Sequence, residues 1–289
     1  MAAADDAPSA STIAAVAGKV TVVTGGTSGL GRGIVELFAR AGSRVVFGAR
    51  RTELGEQLAS SLRGEGHDVT FVPTDVRRTA DCAALISAAV DRHGRLDVLI
   101  NNAGTEGSPP IQPSHLATEE HWDDIVDTNL KGAFFCCRSA LGVMAEQHSG
   151  VVLNIASINA IEGPARMAAY SASKAGLVQL SRTLAVEYVL EGVRVNAVLI
   201  GGVATEQADR TKAAITEYVT GSPAVDTAPK RPNPLVYQPV EAARVLALLC
   251  ADDAQLNGST IAVDHAMSAG SMASTMIYMT SAGIWQKPY

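Results

Sequence analysis

The chain has 289 residues, 47 % of them hydrophobic, which is enough apolar material for one large domain or two small ones. Its formal net charge of −6 argues against binding to nucleic acid, because no basic stripe is available to release phosphate counterions. Residues 1–17 are small and acidic, with neither a basic region nor an apolar run of about 18 residues, and are predicted to form a flexible arm rather than a signal peptide or membrane span.

The first predicted strand, residues 19–24, is a short β-branched run that leads into a turn containing Gly25, Gly29 and Gly31. Apolar spacing predicts a helix over residues 29–41. A glycine-rich turn between a strand and a helix lets the backbone approach a pyrophosphate, whose charge meets free N–H groups at the helix start. The pattern therefore favours a dinucleotide site, with a plain tight connection as the alternative.

The second predicted strand, residues 44–47, is followed by Gly48, Ala49, Arg50 and Arg51. A carboxylate at this place would accept hydrogen bonds from the ribose hydroxyls of NAD, and none is present. Two guanidinium groups suit a 2′-phosphate instead. We therefore predict NADP rather than NAD, the alternative being that these arginines only face solvent at the start of the next helix.

Strand-like runs recur between helical segments further along the chain, and the alternation predicts a parallel sheet with helices on both faces. The runs lie at residues 68–72, 96–101, 150–155, 193–199 and 260–263. The predicted fold class is α/β, a doubly wound parallel sheet of Rossmann type in a single three-layer αβα domain over residues 18–266.

Two acid–base side chains, Tyr170 and Lys174, are four residues apart in a predicted helix and therefore share one face. An ammonium group beside a phenol favours the phenolate, so we expect the pKa of Tyr170 to be lowered from about 10. Such a pair can exchange a proton with a substrate oxygen. Ser157 lies upstream of the pair, and Asn129 earlier still.

The four cysteines, Cys82, Cys136, Cys137 and Cys250, lack the spacing of a metal site. They are expected to be reduced core thiols of a cytoplasmic protein, with a catalytic cysteine as the minor alternative. No metal is predicted.

Together these motifs resemble the short-chain dehydrogenase/reductase family. Its T-G-x-x-x-G-x-G pattern matches residues 24–31, and its N-N-A-G pattern matches residues 101–104. Its helical asparagine, serine, tyrosine and lysine match Asn129, Ser157, Tyr170 and Lys174, and the resemblance spans about residues 19–264. The chain departs from the family late, with Ile200-Gly201 in place of Pro-Gly and Asp264-His265-Ala266 in place of Asp-Gly-Gly.

The resemblance implies the roles of individual residues. The catalytic group would be Asn129, Ser157, Tyr170 and Lys174. The cofactor would contact Gly25, Thr27, Ser28, Gly29, Leu30, Gly31, Arg50, Arg51, Asp75, Val76, Asn102, Ala103, Gly104, Tyr170, Lys174, Gly201, Val203 and Thr205. Within this set Asp75 and Val76 would bracket the adenine, Asn102 and Gly104 would line the nicotinamide ribose, and Thr205 would hold the carboxamide.

By the same resemblance, Tyr170 would donate the proton and Ser157 would hold the substrate oxygen. Lys174 would bond the nicotinamide ribose and Asn129 would anchor a water linked to Lys174. The predicted activity is an NADP(H)-dependent oxidoreductase that transfers a hydride to or from a carbonyl or secondary alcohol. A dinucleotide-binding sensor or scaffold without turnover, and an epimerase or dehydratase that uses the cofactor transiently, are the alternatives.

Two further segments carry expectations. Residues 201–239 would form a substrate lid, and their prolines, Pro223, Pro229, Pro232 and Pro234, suggest an irregular clamp rather than a long helix. Residues 267–289 are too apolar for a loose terminus and are predicted to pack on the body or on a neighbouring subunit, with a role in closing a pocket as the alternative. The family is commonly tetrameric, which implies a homotetramer or homodimer joined through helices at about residues 119–147 and 165–190.

Overall fold

The computed structural model describes residues 7–222 and 235–269 of the chain. Seven parallel strands form its central sheet, in the order β3-β2-β1-β4-β5-β6-β9. They are β1 Val20–Thr24, β2 Arg44–Ala49, β3 Val69–Pro73, β4 Val98–Asn101, β5 Gly150–Ser157, β6 Val193–Ile200 and β9 Thr260–Val263. Strand order reverses between β1 and β4, and in such sheets ligands bind outside the carboxyl ends of the strands at this point.

Helices cover both faces of the sheet. They are α1 Ala10–Val16, α2 Gly29–Arg40, α3 Thr52–Gly64, α4 Thr79–His93, α5 Glu119–Val126, α6 Gly132–Gln147, α7 Ala168–Glu187, α8 Glu206–Thr220 and α9 Pro239–Leu249. One hydrophobic core joins the sheet to α1, α2, α3 and α9, and a second joins its other face to α4, α6 and α7. A two-stranded sheet pairs β7, Gly202–Val203, with β8, Val236–Tyr237.

The predicted doubly wound α/β fold is confirmed. Each of the seven strands begins and ends within two residues of its predicted bounds. The runs were recognisable because strands buried on both faces are nearly continuous in apolar and β-branched residues; every residue of β1 and of β5 is buried.

The predicted flexible arm over residues 1–17 is wrong for residues 10–16, which form α1. The hydroxyl of Ser9 accepts a hydrogen bond from the Thr12 N–H and caps the helix. The side chains of Ala15 and Val16 are buried in the core that also contains α9. These small apolar residues therefore give the segment a buried face, which its composition alone did not reveal. Residues 1–6 lie outside the described residues.

The predicted irregular clamp over the lid is wrong for residues 206–220, which form α8. Thr205 caps this helix by accepting from the Ala208 N–H, and Gly221 ends it with a φ of 67°. All four lid prolines fall between residues 223 and 234, outside the described residues. The predicted apolar tail also lies outside them from residue 270 onward.

The predicted helix over residues 119–147 is interrupted. Its two parts, α5 and α6, are joined by a π-helical turn, Asp127–Lys131, that contains the buried Asn129. Short π-helical segments inside α-helices are frequent at functional sites.

None of the helices in the described ranges is long and apolar enough to cross a membrane. The four cysteines are buried free thiols. Over the same ranges, His, Cys, Asp and Glu side chains form no cluster that could hold a metal ion.

Candidate active site

The site lies at the carboxyl edge of the sheet. Ser157 is the last residue of β5, and Tyr170 and Lys174 lie on the first turns of α7. The side chains of these three residues are buried, as is that of Asn129. The fold thus brings together the four residues that the sequence predicted to be catalytic.

The glycine-rich turn that links β1 to α2 is shaped for a close backbone approach. A Cβ on Gly31 would lie 2.2 Å from the Gly25 carbonyl oxygen, and Gly25 itself has a φ of 71°, which favours glycine. Ser28 precedes α2 but its side chain does not cap the helix, so N–H groups of the first turn remain available to an anion. These features fit a dinucleotide pyrophosphate.

Asn102 supports this turn. Its side-chain amide donates to the Thr24 carbonyl at 2.9 Å, while the Thr24 hydroxyl accepts from the N–H groups of Asn102 and Ala103 at 3.0 Å each. The amide is therefore used to hold the turn in place. Gly104, two residues after Asn102, lies close to the predicted catalytic residues. A Cβ on it would lie 3.3 Å from both Lys174 Nζ and Asn129 Oδ1.

The arginines that follow β2 are exposed. The Arg51 Nη2 donates to Thr27 Oγ1 of the glycine-rich turn at 3.3 Å, which places its guanidinium beside the predicted phosphate site. A hydrogen bond from Arg77 is the largest cause that lowers the pKa of Asp75, and the charge of Arg50 lowers it further. Arg50, Arg51 and Asp75 therefore border one region, with no carboxylate at the end of β2.

The remaining predicted cofactor residues lie around this edge. Thr27, Leu30, Val76 and Val203 are buried. Thr205 uses its hydroxyl to cap α8, and its methyl carbon would lie 2.9 Å from a Cβ on Gly29. A Cβ on Gly201 would contact Asp264 at 2.7 Å. The segment predicted to form the lid therefore begins directly beside the glycine-rich turn.

The amide of Asn129 bonds to the loop after β4. Its Oδ1 accepts from the Thr105 N–H at 2.8 Å, and its Nδ2 donates to the Thr105 carbonyl at 2.9 Å and to Ser173 Oγ at 3.0 Å. The Ser173 hydroxyl in turn donates to the Tyr170 carbonyl at 2.7 Å. Asn129 thus ties the loop to the helix that carries the acid–base pair, and its predicted role in anchoring a water remains a prediction.

The predicted lowering of the Tyr170 pKa is wrong for this structure. Burial is the largest cause that raises the pKa of Tyr170 well above its usual value; Glu106 adds to the rise, and a hydrogen bond with Ser157 offsets only part of it. The Lys174 Nζ lies 5.8 Å from the centre of the Tyr170 ring and donates to the Ile155 carbonyl at 2.8 Å. Burial lowers the pKa of Lys174 to about 8.

Sequence reasoning missed Glu106. It follows the N-N-A-G motif by two residues, and its carboxylate accepts a hydrogen bond from Thr211 Oγ1 of α8. Burial raises its pKa, and its charge acts on both Tyr170 and Lys174. An acidic residue in a loop carries no local signal of this kind, because the groups that bond it or interact with its charge lie over sixty residues further along the chain.

Known proteins resemble this chain in sequence and in fold. A family model described as short chain dehydrogenase matches residues 19–215. Cis-4-hydroxycyclohexanecarboxylate dehydrogenase of Sinomonas cyclohexanicum is 36 % identical over 259 residues, which cover 88 % of this chain and 98 % of that protein. Levodione reductase of Leifsonia aquatica is 32 % identical over 254 residues, covering 87 % and 94 %. A crystal structure of levodione reductase matches with a TM-score of 0.78 at 30 % identity, covering 89 % of this chain and all of that one.

Proposed function

The chain belongs to the short-chain dehydrogenase family and is an NAD(P)-dependent oxidoreductase, and we propose that it transfers a hydride between NADP(H) and a carbonyl or secondary alcohol substrate, with Tyr170 as general acid and base. One observation carries the proposal. The side chain of Tyr170 is buried within reach of Ser157, with Lys174 one turn further along the same helix, beside a glycine-rich turn that fits a pyrophosphate.

The nicotinamide supplies the hydride when it is bound. The protein must then stabilise the negative charge that grows on the substrate oxygen. Ser157, at the end of β5, would donate a hydrogen bond to this oxygen, and Tyr170 would give it a proton. A raised pKa keeps Tyr170 protonated at neutral pH, which is the state that a proton donor needs.

Lys174 would support Tyr170 from the same helix. Its pKa of about 8 leaves it largely protonated at neutral pH, and its Nζ lies 3.3 Å from where a Cβ on Gly104 would stand. That position suits a contact with the ribose edge of the cofactor. Asn129 holds this arrangement by bonding both the Thr105 backbone and Ser173.

Preference for NADP is part of the proposal. Two exposed guanidinium groups follow β2, and one of them is already bonded to the glycine-rich turn at Thr27. No carboxylate follows this strand, and Asp75, which borders the same region, is paired with Arg77 at 2.6 Å.

We also propose a homotetramer or homodimer, because apolar side chains are exposed on α5 and α6. Trp122 of α5 and Phe134 of α6 are 44 % and 40 % exposed, and large apolar side chains exposed on neighbouring helices suit a subunit interface. A cytoplasmic location is supported by the four buried free thiols.

The proposal is tested by following nicotinamide absorbance with NADPH or NADH and two substrate pairs taken from the relatives' names. These are levodione with its reduced alcohol, and cis-4-hydroxycyclohexanecarboxylate with the corresponding ketone. We expect turnover with at least one pair and a preference for NADPH. Binding of NADPH without turnover of any ketone or alcohol in a wider panel would contradict the proposal and favour a sensor.

The variant Tyr170→Phe keeps the ring but removes the proposed proton donor. Turnover should fall by about 10² to 10⁴, the usual share of general acid catalysis, while NADPH affinity stays near that of the wild type. Tyr188→Phe is the matched control, because Tyr188 ends the same helix outside the site. Near-native turnover of Tyr170→Phe would refute the assigned role.

A further inference from the structure

Glu106 links the loop after β4 to the lid. Its Oε2 accepts a hydrogen bond from Thr211 Oγ1 of α8, and Gln207, one turn earlier on the same helix, also lowers the pKa of Glu106. Hydrogen bonds to a carboxylate are about twice as strong as those between neutral groups. The hydrogen bond to Thr211 therefore ties α8 to the body of the protein.

The same carboxylate also faces the proton-transfer residues. Its charge raises the pKa of Tyr170 and opposes the lowering of the pKa of Lys174. Within the described residues, the cations that act on Glu106 are Lys174 and Arg210, and neither forms an ion pair with it. The negative charge is therefore not cancelled by a close cation and acts on Tyr170 through a buried medium, where charges are weakly screened.

We propose that Glu106 is a positioning residue of the proton-transfer site, which holds α8 over the site through Thr211 and sets the charge balance around Tyr170 and Lys174. The inference rests on the proposed function, because it assigns Glu106 a role in the same reaction. Glu106 also lines a cavity of about 20 Å³ together with Tyr170, Ile125 and Met167.

The other titratable and charged groups near Glu106 must be considered with it. His121 on α5, Arg166 in the loop before α7 and Tyr170 line the same cavity, whereas Lys174 and Arg210 of α8 act on Glu106 through their charge. Arg166 is held by the ring of Tyr218, with its Cζ 3.6 Å from the ring centre. That contact is a second attachment of α8, so loss of the Glu106 bonds should loosen the helix rather than detach it.

Three variants separate the two roles. Thr211→Val removes a hydrogen bond to Glu106 but keeps the charge. Glu106→Gln removes the charge but keeps a side chain that can still bond Thr211. Thr216→Val is the control, because the Thr216 side chain is half-buried like that of Thr211 but its hydroxyl donates only to the Lys212 carbonyl of its own helix.

The lid role is measured by hydrogen–deuterium exchange of α8 in the full chain without substrate, and therefore does not depend on activity. Thr211→Val should speed the exchange of α8 amides by roughly tenfold, the effect of losing one strong hydrogen bond. It should also raise KM several-fold with little change in kcat. Thr216→Val should leave both unchanged. Exchange of Thr211→Val at the wild-type rate would overturn the lid role.

The electrostatic role is measured by the pH profile of kcat/KM. The negative charge of Glu106 disfavours the phenolate of Tyr170 and the neutral form of Lys174. Without this charge, in Glu106→Gln, the pKa of both groups should fall, and the alkaline limb should move to lower pH by roughly one unit. In Thr211→Val this limb should not move. A limb that stays in place in Glu106→Gln would overturn the electrostatic role.

The two proposals fail in different ways. If Tyr170→Phe keeps full turnover, the proposed function fails, whatever the exchange data show. If Tyr170→Phe is inactive but the Glu106 and Thr211 variants match the wild type in exchange and pH profile, only the present inference fails. Should Glu106→Gln fold poorly, the KM and exchange of Thr211→Val still decide the lid role, and the pH profile of Glu106→Ala, which also removes the charge, decides the electrostatic one.

Discussion

Replacing Arg50 and Arg51 by alanine tests how this enzyme would select its cofactor. Hydrogen bonds to charged groups contribute about 1.5 to 3 kcal/mol each, and both guanidinium groups are exposed, so the lower part of this range applies. The double variant should lose about 2 to 3 kcal/mol of NADPH binding, or roughly 30- to 150-fold in Kd. NADH lacks the 2′-phosphate, so its Kd should hardly change.

The two arginines should not contribute equally. The guanidinium of Arg51 already bonds Thr27 of the glycine-rich turn, whereas the charge of Arg50 acts on Asp75. Arg51→Ala alone should therefore cost more NADPH affinity than Arg50→Ala. Arg92→Ala is the control, because Arg92 is exposed and pairs with Asp68, on the other face of the sheet.

The assay is a fluorescence titration of each protein with NADPH and NADH at low and high salt. Exposed charges are screened, so the NADPH preference of the wild type should shrink at high salt. Equal affinity of the wild type for NADH and NADPH would refute the reasoning. An unchanged NADPH affinity of the double variant would do the same.

Three further predictions follow from single positions. Gly31→Ala places a Cβ 2.2 Å from the Gly25 carbonyl oxygen, so it should abolish cofactor binding and lower the stability of the protein by more than about 2 kcal/mol. Gly142→Ala, on an open helix face, should instead stabilise the protein by about 0.5 to 1 kcal/mol. Thermal melts and NADPH titration check both variants. Ala266→Gly should raise the free energy of unfolding by about 1 kcal/mol in urea titrations, because Ala266 has a φ of 66°, and a loss of stability would contradict this. The pKa of Lys174 is about 8 in the folded protein against 10.5 in the unfolded chain, so burial of its charge lowers stability below pH 8, and this cost disappears between pH 8 and 10.5. The unfolding free energy of the wild type relative to Lys174→Met should therefore rise by about 3 kcal/mol over this pH window. A difference that does not change with pH would contradict the prediction.

Sheet strands and the acid–base pair could be predicted because their signals are local. A buried parallel strand such as Gly150–Ser157 is a continuous apolar run, and the spacing of Tyr170 and Lys174 places them on one helix face wherever the helix lies. The glycine-rich turn is equally local, since Gly25 and Gly31 approach each other within a single strand–turn–helix unit.

Other features depend on neighbours that the sequence does not bring together. The segment Ala10–Val16 is a helix because the core near α9 accepts its small apolar face. The helix Glu206–Thr220 was missed because prolines further along the segment suggested irregular structure throughout, although none of them lies within it. The left-handed backbone of His265 and Ala266, where the family has glycines, could be suspected only from the resemblance.

The Tyr170 pKa shows most clearly why proximity in sequence was not enough. Lys174 is one helical turn away, yet its Nζ points to the Ile155 carbonyl, and burial together with Glu106 outweighs any benefit to the phenolate. On the proposed mechanism, reduction of a ketone needs Tyr170 protonated, whereas oxidation of an alcohol needs its phenolate. Because both burial and Glu106 oppose the phenolate, oxidation should require a more alkaline pH than reduction, and Glu106→Gln should narrow the gap between the two pH optima.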